Sequence, residues 1–198
     1  MSIYGGPGSG LDYLTNQAFK TIYNNVNDEL VAISNNRLTI DQELDTLRGR
    51  TYATVMLESF PSANMHYGHR PSLIQAPVEQ YPNISVMAYQ SVPDSMQLDN
   101  YSQTVASLMI ELMVKGTEQE GEEIVNKRAT RSCDAVYNVL NRDEILSPSF
   151  LNVQSPASMN ITDLFVRRKE KGQGEIFLWQ GARLEYKINV ISNPENSW

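Results

Sequence analysis

The sequence has one cysteine, two histidines and no long apolar segment. Cys133 is the only cysteine among 198 residues, so an intramolecular disulfide and a cysteine-rich zinc site are excluded. The most apolar window, residues 105–114, is interrupted by Ser107 and Glu111 and is shorter than the roughly 20 residues that span a bilayer. The N-terminal residues lack the basic and apolar regions of a secretory signal peptide. We therefore expect a protein that is neither secreted by the usual route nor integral to a membrane.

Basic residues are also scarce. The chain has 16 Lys and Arg residues against 23 Asp and Glu residues, which gives a formal net charge of −7 and a sequence pI near 4.9. A protein that coats nucleic acid needs a basic surface to displace counterions, so the acidic balance argues against that function class and leaves room only for a local basic patch. The 41% of apolar residues is enough for a hydrophobic core, which excludes a chain that is disordered throughout.

The length and the distribution of glycine and proline predict one domain with short terminal segments. Residues 1–10 are rich in glycine and are expected to form a flexible N-terminal arm. Residues 11–192 are expected to form a single α+β domain with a long loop at 61–81, which is a candidate contact arm. Residues 193–198 are expected to form a C-terminal tail.

Apolar periodicity predicts two helical segments in the N-terminal part of the domain. The first helix runs from Leu11 to Ile33, where apolar side chains recur at three- to five-residue steps. Ser34-Asn35-Asn36 is expected to end it. A second segment, either helical or mixed, follows Thr39 and Gln42, which have the spacing of a capping box, and Pro61 is expected to end it.

The middle of the chain predicts two strands and a helix. Alternating patterns indicate strands over residues 84–92 and 104–114, and the even-numbered positions from Ala106 to Val114 form the apolar face of the second strand. Gly116 is expected to close that strand. Thr117 and Glu120 form another capping box, which predicts a helix running to about Asn141. Cys133 lies on the apolar face of this helix and is therefore expected to be a buried structural thiol.

The C-terminal part predicts a hairpin. After a polar connection over residues 142–160, strands are expected at 161–168 and 175–180, joined by a turn at 169–174. Gly181 is expected to mark a bulge before the strand resumes over residues 182–190. The predicted order is α-(α)-β-β-α-β-β. This order is typical of an α+β fold, with a mostly antiparallel sheet and helices packed on one face.

Residues with catalytic chemistry are sparse. The glycine-rich N-terminus lacks the Lys-Ser/Thr pair of a phosphate loop, and His66 and His69 lie in a predicted loop without an acidic third ligand. The one enzymatic alternative is a Mg²⁺-dependent nuclease in which Asp163 and Glu185 bind the metal and Lys187 positions a water. An exposed strand face shows the same pattern. We therefore predict no catalytic, cofactor-binding or metal-binding residues and expect that the protein is not an enzyme.

One dense basic cluster stands out at the predicted hairpin turn. It consists of Arg167, Arg168, Lys169 and Lys171. Such a cluster is either a solvated turn or a contact site for nucleic acid or for an acidic protein surface. On a hairpin that projects from an assembly subunit, complementary charge fixes the register of a neighbouring subunit. These four residues are the candidate interaction residues of the sequence.

The order of parts over residues 84–191 resembles the tail terminator, or tail completion, proteins of the neck of tailed bacteriophages. The similarity comprises the strand that ends in Leu108-Met109-Ile110-Glu111-Leu112-Met113-Val114 and the acidic start of the following helix. That helix contains Arg128-Ala129-Thr130-Arg131-Ser132-Cys133-Asp134-Ala135-Val136 and Leu140. A polar hairpin and the alternating strand over residues 184–191 follow. The N-terminal helix from Leu11 is a weaker part of the similarity.

The resemblance implies a structural virion protein. Such a subunit forms a ring, expected to be a homohexamer, that caps the tail tube and joins it to the head-side connector. Its implied partners are copies of itself, the tail tube protein and the head–tail connector protein, while DNA passes through the lumen without specific binding. The implied location is the tail or neck of a virion assembled in the host cytoplasm, with no membrane and no cofactor. Another neck or baseplate adaptor of the same fold is the alternative within this class.

Overall fold

The computed structural model describes residues 11–51, 55–68, 81–93, 102–141, 152–165, 169–172 and 175–192. Its two helices are α1 (Leu11–Leu47) and α2 (Gly121–Asn141), and a short 3₁₀ turn covers Ser62–Asn64. The strands are β1 (Met65–Tyr67), β2 (Asn83–Pro93), β3 (Ser102–Thr117), β4 (Asn152–Phe165), β5 (Lys169–Gly172) and β6 (Glu175–Ser192). The N-terminal arm and the C-terminal tail expected from the sequence lie outside the described residues.

The strands form one open sheet in the order β1-β2-β3-β6-β4, and β5 also pairs with β6. Only the pairing of β1 with β2 is parallel among the described strand pairs. The two helices pack on one face of this sheet, where their apolar side chains join those of β2, β3 and β6 in the core. The fold is therefore α+β with a mostly antiparallel sheet, as predicted.

The central strands confirm the alternation expected from the sequence. Strand β2 extends the predicted strand by one residue at each end, and β3 extends from Ser102 to Thr117. Ala106, Leu108, Ile110, Leu112 and Val114 of β3 all lie in the core. The same alternation in β6 directs Ala182, Leu184 and Tyr186 into the core, because successive residues of a strand face opposite sides of the sheet.

The predicted end of the first helix at Ser34-Asn35-Asn36 is wrong. Helix α1 continues without interruption to Leu47, so Thr39 and Gln42 lie inside a helix and not at its start. Each of the residues at 34–36 lowers helix propensity by less than about 1 kcal/mol relative to alanine, a penalty that contacts of the later helix with α2 outweigh. The helix ends before Gly49, whose φ of +62° is the left-handed conformation favoured by glycine.

The second predicted segment is helical only as far as Leu47, where α1 ends, and the chain then returns along α1 without regular structure. Residues 55–60 have no regular secondary structure, yet Val55 and Phe60 are buried. The side chain of Asn27 accepts a hydrogen bond from the Phe60 amide at 2.8 Å and donates one to its carbonyl at 3.0 Å. This pair of bonds fixes the returning chain against the helix and satisfies backbone groups that burial would otherwise leave without water.

The predicted loop at 61–81 contains regular structure at its start. A 3₁₀ turn at Ser62–Asn64 leads into β1, where Met65 pairs with Ile84 in a parallel arrangement. His66 therefore lies in a strand, opposite Ser85, and not in a loop. His69 and the remainder of the predicted contact arm up to residue 80 lie outside the described residues.

The capping box before α2 is confirmed, but it closes a turn and does not cap the helix directly. The Thr117 amide donates to Glu120 Oε2 at 2.8 Å, and the Glu120 amide donates to Thr117 Oγ1 at 3.3 Å. Helix α2 begins only at Gly121, whose φ is +79°. The reciprocal bonds provide partners for the backbone amides of Thr117 and Glu120 in the turn. The left-handed conformation of Gly121 then redirects the chain into the helix. Strand β3 accordingly continues past Gly116 to Thr117.

The C-terminal hairpin is longer than predicted. Strand β4 begins at Asn152, inside the expected connection, and Lys169–Gly172 forms strand β5 where a turn was expected. Gly181 pairs in register with Met113 and with Phe165, so the bulge predicted there is absent from the described pairing. The irregularities lie in β4 instead, between residues 154 and 158 and between residues 161 and 163. Sequence alternation in β6 could not show them because they occur on its partner strand.

A buried arginine ties α2 to the sheet. Arg128 Nε donates to the carbonyl of Met56 at 2.7 Å, and a terminal nitrogen donates to the carbonyl of Lys115 at 2.9 Å. The guanidinium also pairs with both carboxylate oxygens of Glu120. Burial opposes ionisation of Glu120, but the bonds from Arg128 and the Thr117 amide outweigh it and hold the pKa of Glu120 below its ordinary value. One side chain thus joins β3, the turn before α2 and the returning segment 55–60.

Gly116 allows α2 to approach β3 closely. A Cβ atom at this position would lie 2.4 Å from a Val125 methyl group and 3.2 Å from both Arg128 and Glu120. Such a contact is shorter than van der Waals packing permits, so a larger residue would push the helix away from the strand.

We predict that Gly116→Ala lowers the free energy of unfolding by about 1–3 kcal/mol, the usual cost of overpacking. The clash is mainly with Val125, so the same substitution in a Val125→Ala background should cost less. Chemical denaturation of the four proteins of this cycle measures the coupling. An equal cost of Gly116→Ala in both backgrounds would contradict the proposed contact.

Candidate interaction surface

The structure places the described part of the basic cluster on an edge strand. Lys169 and Lys171 lie in β5, opposite Leu178 and Ile176 of β6. Arg167 and Arg168 lie outside the described residues. The cluster is therefore not confined to a hairpin turn, because two of its four residues belong to the sheet.

Strands β4 and β5 together line one edge of the sheet. Both pair with the same side of β6, from Asn152 opposite Ile191 to Gly172 opposite Glu175. The other edge differs, because β1 pairs with β2 only from Ile84 to Val86. An edge strand presents backbone amides and carbonyls that can pair with another chain. The two edges are thus unequal in length and in chemistry.

The sheet face opposite the helices, here called the outer face, carries a buried ion pair. Arg183 Nε donates to Glu111 Oε1 at 2.8 Å, and a terminal nitrogen of the same arginine lies 2.7 Å from that oxygen. The two residues are direct cross-strand neighbours in β3 and β6. The Glu111 side chain is 4% exposed and that of Arg183 is 30% exposed. The pair neutralises a carboxylate whose isolated burial would be strongly unfavourable.

A second, more exposed ion pair lies beside it on the outer face. Lys187 Nζ is 3.5 Å from Glu185 Oε1, and both residues belong to β6. In the register of the sheet, Asp163 lies opposite Arg183, while Glu185 and Lys187 lie opposite Asn160 and Ser158. Asp163 and Glu185 are therefore on neighbouring strands but are not direct register partners. Among the residues that the structure describes, no three His, Cys, Asp or Glu side chains are grouped as metal ligands.

Cys133 is confirmed as a buried thiol of α2. It is part of the hydrophobic core. Burial, reinforced by the neighbouring charge of Asp134, raises its pKa to about 12. A thiol with such a pKa is protonated at neutral pH and is a poor nucleophile.

The sequence does not predict the polar contacts between α1 and α2. Asp41 accepts bonds of 2.7 Å from Arg131 to both of its carboxylate oxygens and one of 3.2 Å from Lys127. Asn138 donates to Glu29 at 2.8 Å. Charged and polar residues within these periodic helices can be seen in the sequence. Periodicity does not show which residues of the two helices face each other.

The sequence also does not predict two aromatic contacts that involve residues of the sheet. The rings of Tyr81 and Trp179 stack with a centroid separation of 5.1 Å. Near β1, Tyr67 packs edge-on against Phe19 and donates a hydrogen bond to Asp12. Burial and that bond raise the pKa of Tyr67 to about 12. These contacts join residues far apart in the sequence, so local patterns carry no signal for them.

Comparison with known proteins does not assign a family. Neither a protein-family model nor a curated protein matches this chain. In the described part of the chain, neither helix has a stretch long and apolar enough to cross a bilayer. Function must therefore be inferred from the geometry of the fold and from the sequence resemblance.

We predict that Arg183→Met lowers the free energy of unfolding by about 1–3 kcal/mol, because Glu111 loses a charged partner in a buried position. The double variant Glu111→Leu/Arg183→Met should recover most of this loss, since an apolar pair needs no charge compensation. Lys187→Met is the matched control in the more exposed pair and should cost less than about 1 kcal/mol. Equal losses for Arg183→Met and Lys187→Met in denaturation experiments would contradict this account.

Proposed function

We propose that this chain is a structural subunit of a bacteriophage virion that assembles with copies of itself into a ring at the tail neck. The ring, proposed to be a homohexamer, caps the tail tube and joins it to the head-side connector. The observation that carries this proposal is an open sheet with two unequal edges, one of which bears lysines. The sequence resemblance over residues 84–191 supports the assignment, because this range covers β3, α2, β4 and β5 and all but one terminal residue each of β2 and β6.

Unequal edges favour head-to-tail contacts. When the β4–β5 edge of one copy meets a different surface of the next, the interface is heterologous, and repeated contacts of this kind close into a ring if the rotation permits. Exposed edge strands are common sites of association because their backbone groups can pair with a neighbouring chain. The fold thus provides a way of joining copies that needs no cofactor.

Charge supports the same arrangement. Lys169 and Lys171 lie on one edge of a chain whose net charge is −7, and acidic side chains such as Asp28 and Glu43 of α1 are exposed. A basic edge that meets an acidic surface of the next copy fixes register and suppresses wrong contacts. An acidic lumen would repel the phosphate backbone, so DNA would pass through the ring without binding.

The experiment compares the assembly of charge-reversed variants by sedimentation velocity and electron microscopy. Wild-type protein should form a ring, alone or with tail tube protein. Lys169→Glu and Lys171→Glu, each made singly, should weaken ring formation by about tenfold or more because a charge contact becomes repulsive. Lys20→Glu is the matched control, since Lys20 is exposed on α1 and does not belong to β4 or β5; it should leave assembly unchanged.

Two outcomes would overturn the proposal. One is a stable monomer both alone and with tail tube protein. The other is Mg²⁺-dependent DNA cleavage that Glu185→Ala abolishes, which would favour the nuclease. If rings form, binding to tail tube and connector proteins separates a terminator from another neck or baseplate adaptor, because a terminator must bind both.

A further inference from the structure

Helix α1 changes the character of its buried side chains at its midpoint. Up to Ile33 its buried positions are mainly apolar, and six of them belong to the core: Leu14, Ala18, Ile22, Val26, Leu30 and Ile33. From Ser34 to Arg50 the only buried residues are Asp41 and Asp45. Among the described residues, the core contains no α1 side chain beyond Ile33.

The second half of α1 meets α2 through charged groups. Asp41 binds Arg131 at 2.7 Å and Lys127 at 3.2 Å. Arg37 lies 3.7 Å from Asp134. Just beyond the helix, Arg48 and Arg50 bind the two carboxylate oxygens of Glu123 at 2.6 and 3.0 Å, and these bonds, that of Arg48 first, lower the pKa of Glu123. Of these pairs, only that of Asp41 with Arg131 is buried on both sides, and exposed pairs contribute little to stability.

The apolar stripe of α1 continues along this second half without being covered. Ile40, Leu44 and Leu47 follow Ile33 by seven, eleven and fourteen residues, so they lie on the same face of the helix as the core residues. Their exposed fractions are 45%, 37% and 83%. The second half of α1 therefore buries much less apolar surface than the first half, which is held on the sheet by such burial.

Residues with low helix propensity lie between the two halves. Ser34, Asn35 and Asn36 interrupt the apolar pattern at the point where buried contacts change from apolar to charged. Their side chains can hydrogen-bond to nearby backbone and so favour helix ends over helix interiors. Helix propensity is thus lowest at the point where apolar packing changes to charged contacts.

We propose that residues 37–47 form a latch that opens from α2 about Ser34–Asn36 while residues 11–33 stay packed on the sheet. Asp41 holds the latch closed through Arg131 and Lys127. Opening would allow the exposed side chains of Ile40, Leu44 and Leu47 to point in directions that packing of α1 against α2 prevents. This conformational device is independent of the proposed ring, since it depends only on contacts within one chain.

Hydrogen exchange of the intact protein, read by mass spectrometry, tests the latch. Amides of residues 38–43, which precede the fraying last turn, should exchange about tenfold or more faster than those of residues 18–33, because local opening requires less free energy than opening of the core. Asp41→Asn should accelerate the 38–43 amides further and leave the 18–33 amides unchanged. Asp28→Asn, an exposed substitution in the first half, is the matched control and should change neither group.

Three results would overturn the latch: equal protection of both halves in the wild type, equal acceleration of both halves by Asp41→Asn, or no acceleration by that variant. Should Asp41→Asn fail to fold, Lys127→Met decides, because it removes the partly exposed cation 3.2 Å from Asp41 and leaves Arg131 in place. It should accelerate the 38–43 amides selectively. An equal response of both halves to Lys127→Met, or no response, would contradict the proposal.

Discussion

The guanidinium of Arg128 is the interaction on which the arrangement of helices and sheet depends. It joins the last residues of β3, the turn that precedes α2 and the segment that returns along α1. Four hydrogen bonds and the Glu120 charge compensate for burying this cation, which would otherwise be unfavourable. With α2 fixed in this way, its neighbouring face presents Lys127, Arg131 and Asn138 to α1. The position of the second helix thus determines how the first one is held.

The same arrangement places both described helices on one face of the sheet. Both helices cover one face, while the outer face has its own charge compensation in Glu111 and Arg183. In the described part of the chain, the two edges of the sheet differ in length, and the proposed contacts are placed there. Shape and charge at those edges, together with the resemblance to phage neck proteins, support the proposed ring. No part of this proposal requires a reactive group, and the thiol of Cys133 is buried in the core.

The sequence predicts the parts of the fold that depend on local periodicity. Strands β2 and β3, helix α2, the Thr117–Glu120 capping box and the burial of Cys133 all follow from the spacing of apolar and capping residues. The continuity of α1 does not, because three weak helix formers at 34–36 indicate a stop that tertiary contacts of Asp41 override. Strand β1 is too short for a pattern, and β5 has the polar composition of a turn. At the candidate surface, the lysines of β5 are visible in the sequence, but the Glu111–Arg183 pair depends on a strand register that no local pattern specifies.

The most direct test of this account is the pH dependence of stability in wild-type protein and in Glu120→Gln, measured by chemical denaturation from about pH 7 to about pH 3. The bound Arg128 depresses the pKa of Glu120 from its ordinary value of 4.5, so its contribution is present above that value and disappears as pH falls through the folded-state pKa. The account predicts that Glu120→Gln is less stable by about 1–2 kcal/mol at neutral pH and that the difference vanishes in acid. A difference that stays constant with pH, or is absent at neutral pH, would contradict the central role of the Arg128–Glu120 pair.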